Sequence, residues 1–222
     1  MADKIKHAGN LSGYSVLVTG GGTGIGTGCA AELAADGAAV TICGRRREVL
    51  EAAAEKIADA AGFGGSVQLV TGDVTVEDDV ARIVSTSLEA TGKLNGCIAN
   101  AGGGGMLMGY EAMDTAEFLR VLNLNVIGTM LCIKYTLPHM IDAGGGSFVG
   151  MSSLAGHVTH PWMGAYPVSK AGIEAMIKNA ADENGTHNVR FNAIRPGFVP
   201  RRSWRGYRVR ARYTILILPT PR

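Results

Sequence analysis

Short unbroken apolar runs in this chain alternate with longer stretches in which apolar residues recur every three or four positions. Ser15–Thr19 (SVLVT) and 39–43 (AVTIC) are of the first kind, rich in β-branched residues, and predict strands. Between them Cys29–Ala35 has helical character and runs into Asp36-Gly37, where a glycine suits a helix C-cap. A third strand is expected before Asp73, and the alternation continues beyond it. Residues 76–90 predict an amphipathic helix, 95–100 a strand, 115–143 a long helix and 147–151 a fifth strand. A helix through Tyr166 to about Glu183 and a sixth strand over Val189–Ile194 complete the series. Such alternation predicts an α/β fold, a doubly wound parallel sheet with helices on both faces.

Glycines at positions 20, 24 and 26 follow the first strand in a G-x-x-x-G-x-G spacing. They precede a helix N-terminus, where side-chain-free turns let a pyrophosphate approach the backbone and the helix dipole favours its charge. That context distinguishes the cluster from a flexible loop in a chain with 32 glycines. After the second strand, a dinucleotide with a free ribose 2′-hydroxyl calls for an acidic residue. Gly44, Arg45, Arg46 and Arg47 stand there instead. A guanidinium fork fits a 2′-phosphate, so NADP(H) is expected over NAD(H). The alternative is a solvated face on which Glu48 and Glu51 pair with the arginines.

Ser153, Tyr166 and Lys170 carry the candidate chemistry. Residues four apart on a helix share a face, so the phenol of Tyr166 and the ammonium of Lys170 enter one space. An ammonium about 4 Å from a phenolate, at an effective dielectric of ~20, favours the phenolate by ~4 kcal/mol, about three pK units. Tyr166 could then exchange protons near neutral pH. A tyrosine and lysine so spaced also occur on ordinary helices as a packing aromatic and a solvated amine, and the glycine turn upstream gives the pair its meaning.

Composition narrows the class. A chain of 222 residues, 46% hydrophobic and 18% charged, is expected to form one globular domain. The opening MADKIKHAGN carries charges and is not expected to be a signal peptide, and no stretch reads as the ~20 apolar residues of a membrane span. Cys29, Cys43, Cys97 and Cys132 fit buried thiols in a reducing cytoplasm. No C-x-x-C or H-x-x-x-H spacing occurs, so no metal is expected. Met106, Met108 and Met113 read as gap-filling core or as a substrate mouth, Gly102–Gly105 as a loop, and His157 and His160 as exposed residues or neighbours of the substrate.

With these pieces placed, the chain resembles the short-chain dehydrogenase/reductase family from about Leu11 to Pro200. The resemblance is carried by TGGGTGIG (Thr19–Gly26), Asp73-Val74, NAG (Asn100–Gly102), Asn125 in LNVIG, Ser153 in MSSLAG, YPVSK (Tyr166–Lys170) and RPG (Arg195–Gly197). It implies a Rossmann-like sheet and hydride transfer between a nicotinamide and a carbonyl or alcohol carbon. Cofactor contacts are implied for Gly20, Thr23, Gly24, Ile25, Gly26, Arg45, Arg46, Asp73, Val74, Asn100, Ala101, Gly102, Tyr166, Lys170, Pro196 and Gly197. Asp73 would touch the adenine and Asn100 would brace the sheet. Ser153 would hold the substrate oxygen while Tyr166 gives it a proton. Lys170 would lower the tyrosine's pKa and hold the nicotinamide ribose, and Asn125 would hold a water in a relay to Lys170. The long helices after the fourth and fifth strands would pair with copies in a homo-oligomer, a dimer or tetramer. The partner expected is a small-molecule carbonyl or alcohol, with no nucleic acid and no membrane. Steroids, acyl-thioesters, sugars and small ketones all stay open, and the glycine turn with its following arginines is similar to that of enoyl- and dienoyl-thioester reductases.

Beyond Pro200 the character changes. Residues 201–222 hold 7 arginines and no acid, whereas 1–200 hold 14 basic against 19 acidic residues, so the tail turns a balance of −5 into the overall +2. A family member would continue with a threonine, a substrate-covering loop, helices and a seventh strand. Here Arg201 takes the threonine's place. Two parts are therefore expected, a dinucleotide-binding domain over 1–200 and an atypical Arg-rich tail over 201–222. Six strands are expected, with the seventh missing or replaced by the tail. A shifted reading frame is the expected source, and Tyr213–Leu218 the candidate surrogate strand over the sixth strand's edge. Two alternative functions follow: a truncated, catalytically impaired remnant that binds cofactor, and anionic-polymer binding through arginines interleaved with Trp204, Tyr207 and Tyr213.

Overall fold

The computed structural model describes residues 7–197 and residue 199. Strands and helices alternate: β1 (Ser15–Thr19), α1 (Gly24–Ala35), β2 (Ala39–Gly44), α2 (Arg47–Ala60), β3 (Ser66–Thr71), α3 (Glu77–Glu89) and β4 (Gly96–Ala99). There follow α4 (Thr115–Leu122), α5 (Gly128–Asp142), β5 (Gly146–Met151), α6 (Ala165–Asn184) and β6 (Val189–Ile194). The six strands are parallel in the order β3-β2-β1-β4-β5-β6, the doubly wound sheet expected from the sequence. The order reverses between β1 and β4, and there an open α/β sheet leaves a crevice at the carboxyl ends of its strands. The boundary after Pro200 and the surrogate strand over Tyr213–Leu218 lie outside the described residues.

Successive strand residues face opposite sides of the sheet. Val16, Val18, Val40 and Ile42 pack with Ala30 and Ala34 of α1 and Leu50, Ala53 and Ile57 of α2. Leu17, Cys43, Cys97, Phe148 and Phe191 enter a second core with residues of α3, α5 and α6. Burial on both faces explains why the strands read as continuous apolar runs. Phe148 and Phe191 stand opposite each other on β5 and β6, their ring centroids 5.4 Å apart, and tie the last strand to the sheet. Gly37, at φ 102, ends α1 as the sequence suggested.

The helix expected over 115–143 is two helices joined by a π-helical turn over Asn123–Ile127. This widening falls on Asn125, whose carbonyl accepts a hydrogen bond from Thr129 Oγ1 at 2.7 Å. Contrary to the expectation that no stretch reads as a span, Thr115–Asp142 is long and apolar enough by length and composition to cross a membrane. Its Leu131, Cys132 and Met140 are buried against the sheet.

Candidate active site

The glycine turn sits at the crevice. Gly20 has φ 65, and a Cβ there would lie 2.9 Å from Ala101 Cα, so the turn closes only around glycine. A Cβ on Gly26 would lie 2.6 Å from Asn100 Nδ2, which donates to the carbonyls of Thr19 (3.0 Å) and Gly20 (3.2 Å). Asn100 thus clamps the end of β1 to that of β4, and Thr19 Oγ1 accepts from the Ala101 N–H at 3.0 Å. α1 begins at Gly24 with Thr23 extended before it, no side-chain cap and no acid in its first turn. Ile25 and Gly26 complete that turn, whose N–H groups are left for an anion. Space beside Gly24 is open.

The same cleft is lined by Gly20, Thr23, Arg45, Arg46, Asp73, Val74, Ala101 and Gly102. Of the three arginines, Arg47 is held by Glu51 at 2.8 Å, the pairing weighed as the alternative from sequence. Arg45 is mostly exposed at the cleft mouth, its Nη1 3.8 Å from Asp73 Oδ2. The other Asp73 oxygen accepts from Thr75 N (2.9 Å) and Thr75 Oγ1 (2.8 Å), fixing the carboxylate at the end of β3. An uncapped helix start and a turn cleared of side chains fit the pyrophosphate of a dinucleotide, with Arg45 and Arg46 at the edge of the cleft.

The cleft passes directly into a second cluster. A Cβ on Gly102 would lie 2.6 Å from Asn125 Oδ1 and 3.3 Å from Lys170 Nζ. Asn125 is fully buried; its Nδ2 donates to Gly103 O (2.9 Å) and Ser169 Oγ (2.8 Å), and its Oδ1 accepts from Gly103 N (2.9 Å). Ser169 Oγ donates in turn to the Tyr166 carbonyl at 2.7 Å. Lys170 is buried, its ammonium donating to Met151 O at 2.7 Å and standing 5.6 Å from the centroid of the Tyr166 ring. Ser153 is extended at the end of β5, its Oγ accepting from Ala155 N at 3.2 Å. Pro196, after β6, accepts from Leu154 N at 3.1 Å, and Gly197 follows it.

Sequence reasoning missed a buried ion pair beneath this cluster. Glu174 on α6, one turn beyond Lys170, receives Arg195 Nε at 2.5 Å, and the Arg195 Nη2 pairs with its other oxygen. Ser152 Oγ lies 2.7 Å from Glu174 Oε1 and 3.0 Å from Lys170 O, with one proton to give to either. Burial would push the Glu174 carboxyl up, but the Arg195 guanidinium and Ser152 hydroxyl outweigh it and hold it below its ordinary value. From sequence Arg195 reads only as part of RPG. Glu174 gave no signal beyond being polar on a helix.

Burial brings the Lys170 amine down to about 8. An unfolded lysine titrates near ~10.4, so across the intervening window the unfolded chain holds more protons and stability rises with pH. Below about 8 the cost of burying the ammonium is felt in full. Urea unfolding at stepped pH should show the wild type gaining on Lys170→Met between pH ~8 and ~10. A constant difference across that range would contradict the burial-driven shift.

A family model described as short chain dehydrogenase matches residues 14–207. The chain is 35% identical over 191 residues to a 2,5-dichloro-2,5-cyclohexadiene-1,4-diol dehydrogenase of Sphingobium indicum, covering 86% of this chain and 74% of that one. It is also 35% identical over 182 residues to a cis-4-hydroxycyclohexanecarboxylate dehydrogenase of Sinomonas cyclohexanicum, covering 82% and 72%. Among solved structures, a short-chain type dehydrogenase/reductase from Mycobacterium ulcerans superposes with TM-score 0.85 at 40% identity, over 87% of this chain and 70% of that one.

Proposed function

The chain belongs to the short-chain dehydrogenase family of NAD(P)-dependent oxidoreductases, and on that premise we propose that it interconverts a cyclic secondary alcohol and its ketone with NADP(H), Tyr166 acting as acid and base. One observation carries the reading. Gly102 lines the dinucleotide cleft and lies against Lys170 and Asn125, and the Lys170 ammonium stands 5.6 Å from the centroid of the Tyr166 ring, which supports a proton donor next to the cofactor cleft. The nicotinamide, when bound, supplies or accepts the hydride. In the reductive direction the carbonyl carbon gains that hydride and the oxygen gains the Tyr166 proton, giving the alcohol. Ser153 holds the oxygen, the buried Lys170 ammonium favours the phenolate left behind, and Asn125 ties Gly103 to Ser169 on the helix that carries Tyr166 and Lys170. Ring substrates are supported by the two relatives named for six-membered-ring alcohols, one a neutral dichlorocyclohexadienediol and one a hydroxycyclohexanecarboxylate.

Preference for the 2′-phosphate rests on Arg45, which lines the cleft and faces no acid closer than Asp73 at 3.8 Å. Fluorescence titration should give NADPH an affinity about tenfold or more above NADH, ~1.4 kcal/mol, and Arg45→Asp should reverse the order. Equal affinities in the wild type would remove this part of the reading. Three buried free thiols, Cys43, Cys97 and Cys132, support a reducing cytoplasmic setting. Exposed Leu119, Ile127 and Met130 on the α4–α5 segment and Val168 on α6 support burial of those faces against further copies of the chain. A panel of ring ketones, assayed with NADPH and with Tyr166→Phe as control, tests the whole. NADPH binding without turnover of any ketone or alcohol would overturn it.

A further inference from the structure

Two loops leave the catalytic cluster and rise above it. The first, 102–114, starts at Gly102 against Lys170; the second, 154–164, runs from Ser153 to the helix that carries Tyr166. They are fastened to each other. Met108 N donates to Trp162 O at 2.8 Å, and the Met113 thioether packs on Gly164, two residues before Tyr166. Trp162 holds φ 69, a left-handed conformation that strains a non-glycine residue. The residue is nonetheless 63% exposed. Met106, Leu107, Tyr110, Leu154 and Val158 are likewise exposed on these loops. Apolar side chains gathered on strained, mutually fastened loops beside a reacting centre are surface left for an apolar ligand.

The fixed charges in the two loops have one sign. Glu111 and Asp114 are their only acidic residues, neither loop contains lysine or arginine, and the second holds the two histidines His157 and His160. Asp114 is spent capping α4, its oxygens accepting from Ala116 N (3.3 Å) and Glu117 N (3.1 Å). Arg120 reaches the first loop at Gly104 O (3.4 Å), but Glu117 grips it through two hydrogen bonds of 2.6 and 2.9 Å. That grip holds the Glu117 carboxyl at about 2, so the pair is neutral as a unit. Among the described residues, these loops therefore offer a carboxylate or phosphate no lysine or arginine of their own, His157 and His160 being the side chains there that could gain a positive charge.

We infer that the substrate is an uncharged, apolar ring ketone or alcohol, selected against its anionic analogues by the Trp162 mouth and the acidic loop. This deepens the reading above and rests on it. The test compares 4-methylcyclohexanone, 4-oxocyclohexanecarboxylate and the ketose xylulose as substrates of the full chain with NADPH. The neutral ring should exceed the carboxylate in kcat/KM by about tenfold or more, and the gap should narrow as added salt screens the loop. Glu111→Lys, an exposed change, should raise kcat/KM for the carboxylate about threefold or more while leaving the neutral ring unchanged. Trp162→Ala should raise KM for the neutral ring about tenfold with NADPH affinity unchanged. Tyr166-dependent turnover of the carboxylate or the ketose equal to that of the neutral ring would overturn the class and leave the oxidoreductase reading standing. Failure to reduce any of the three with NADPH bound would overturn both.

Discussion

Tyr166→Phe should lower kcat for ketone reduction by about a hundred- to ten-thousand-fold, the range a positioned acid contributes. NADPH affinity should stay within about twofold, because the variant loses one hydroxyl and keeps the ring beside Lys170. The size of the effect follows from where the proton must come from. Lys170 directs one N–H to Met151 O and the Asn125 amide is committed to Gly103 and Ser169, which on this reading leaves Tyr166 as the group that delivers the proton. Single-turnover reduction followed by cofactor absorbance separates chemistry from binding. A rate within tenfold of wild type would remove Tyr166 from the reaction.

Glu174→Ala should destabilise the fold by about 3–5 kcal/mol, the usual cost of leaving one half of a buried ion pair without its partner. For a chain of this size that is a fall of about 10 °C in Tm. The pair joins three elements at once: Ser152 at the end of β5, α6 just past Lys170, and the segment after β6 that leads to Pro196. Glu174→Met with Arg195→Met should recover most of the lost stability, since neither charge is then left stranded. Acid should act in the same direction as the single change. The folded Glu174 carboxyl lies below its ordinary value, so its contribution is present above ~4.3 and is lost as pH falls through the lower folded value. Thermal unfolding of both variants checks this, and a single mutant as stable as wild type would contradict it.

Much of this was readable in the chain because the relevant signals are local. Strand positions came from short apolar runs, and the glycine turn from its place between a run and a helix start. Lys170 and Tyr166 came from a spacing of four. What escaped depends on partners distant in sequence. Glu174 meets Arg195 across 21 positions and Ser152 across 22, and nothing near Glu174 distinguishes it from a solvated helix residue. The π-turn at Asn125 also left no trace, since one widened turn barely disturbs the apolar period of residues 115–143. From sequence Arg45 and Arg46 read as cofactor contacts with pairing to Glu48 or Glu51 as the alternative for the arginines, and the structure shows that pairing for Arg47 with Glu51.

The reversal between β1 and β4 has a consequence for the life of the protein. β2 reaches β1 through one nearby crossover, whereas Asn100 grips Thr19 across 81 positions, a closure that chain entropy makes slow. The turns that face the dinucleotide stand on both sides of that seam. A coenzyme lying across it acts as a clasp, adding about 2.7 kcal/mol against unfolding at a hundredfold excess over Kd. Cellular coenzyme supply would then set how long each copy escapes proteolysis as well as how fast it turns over substrate.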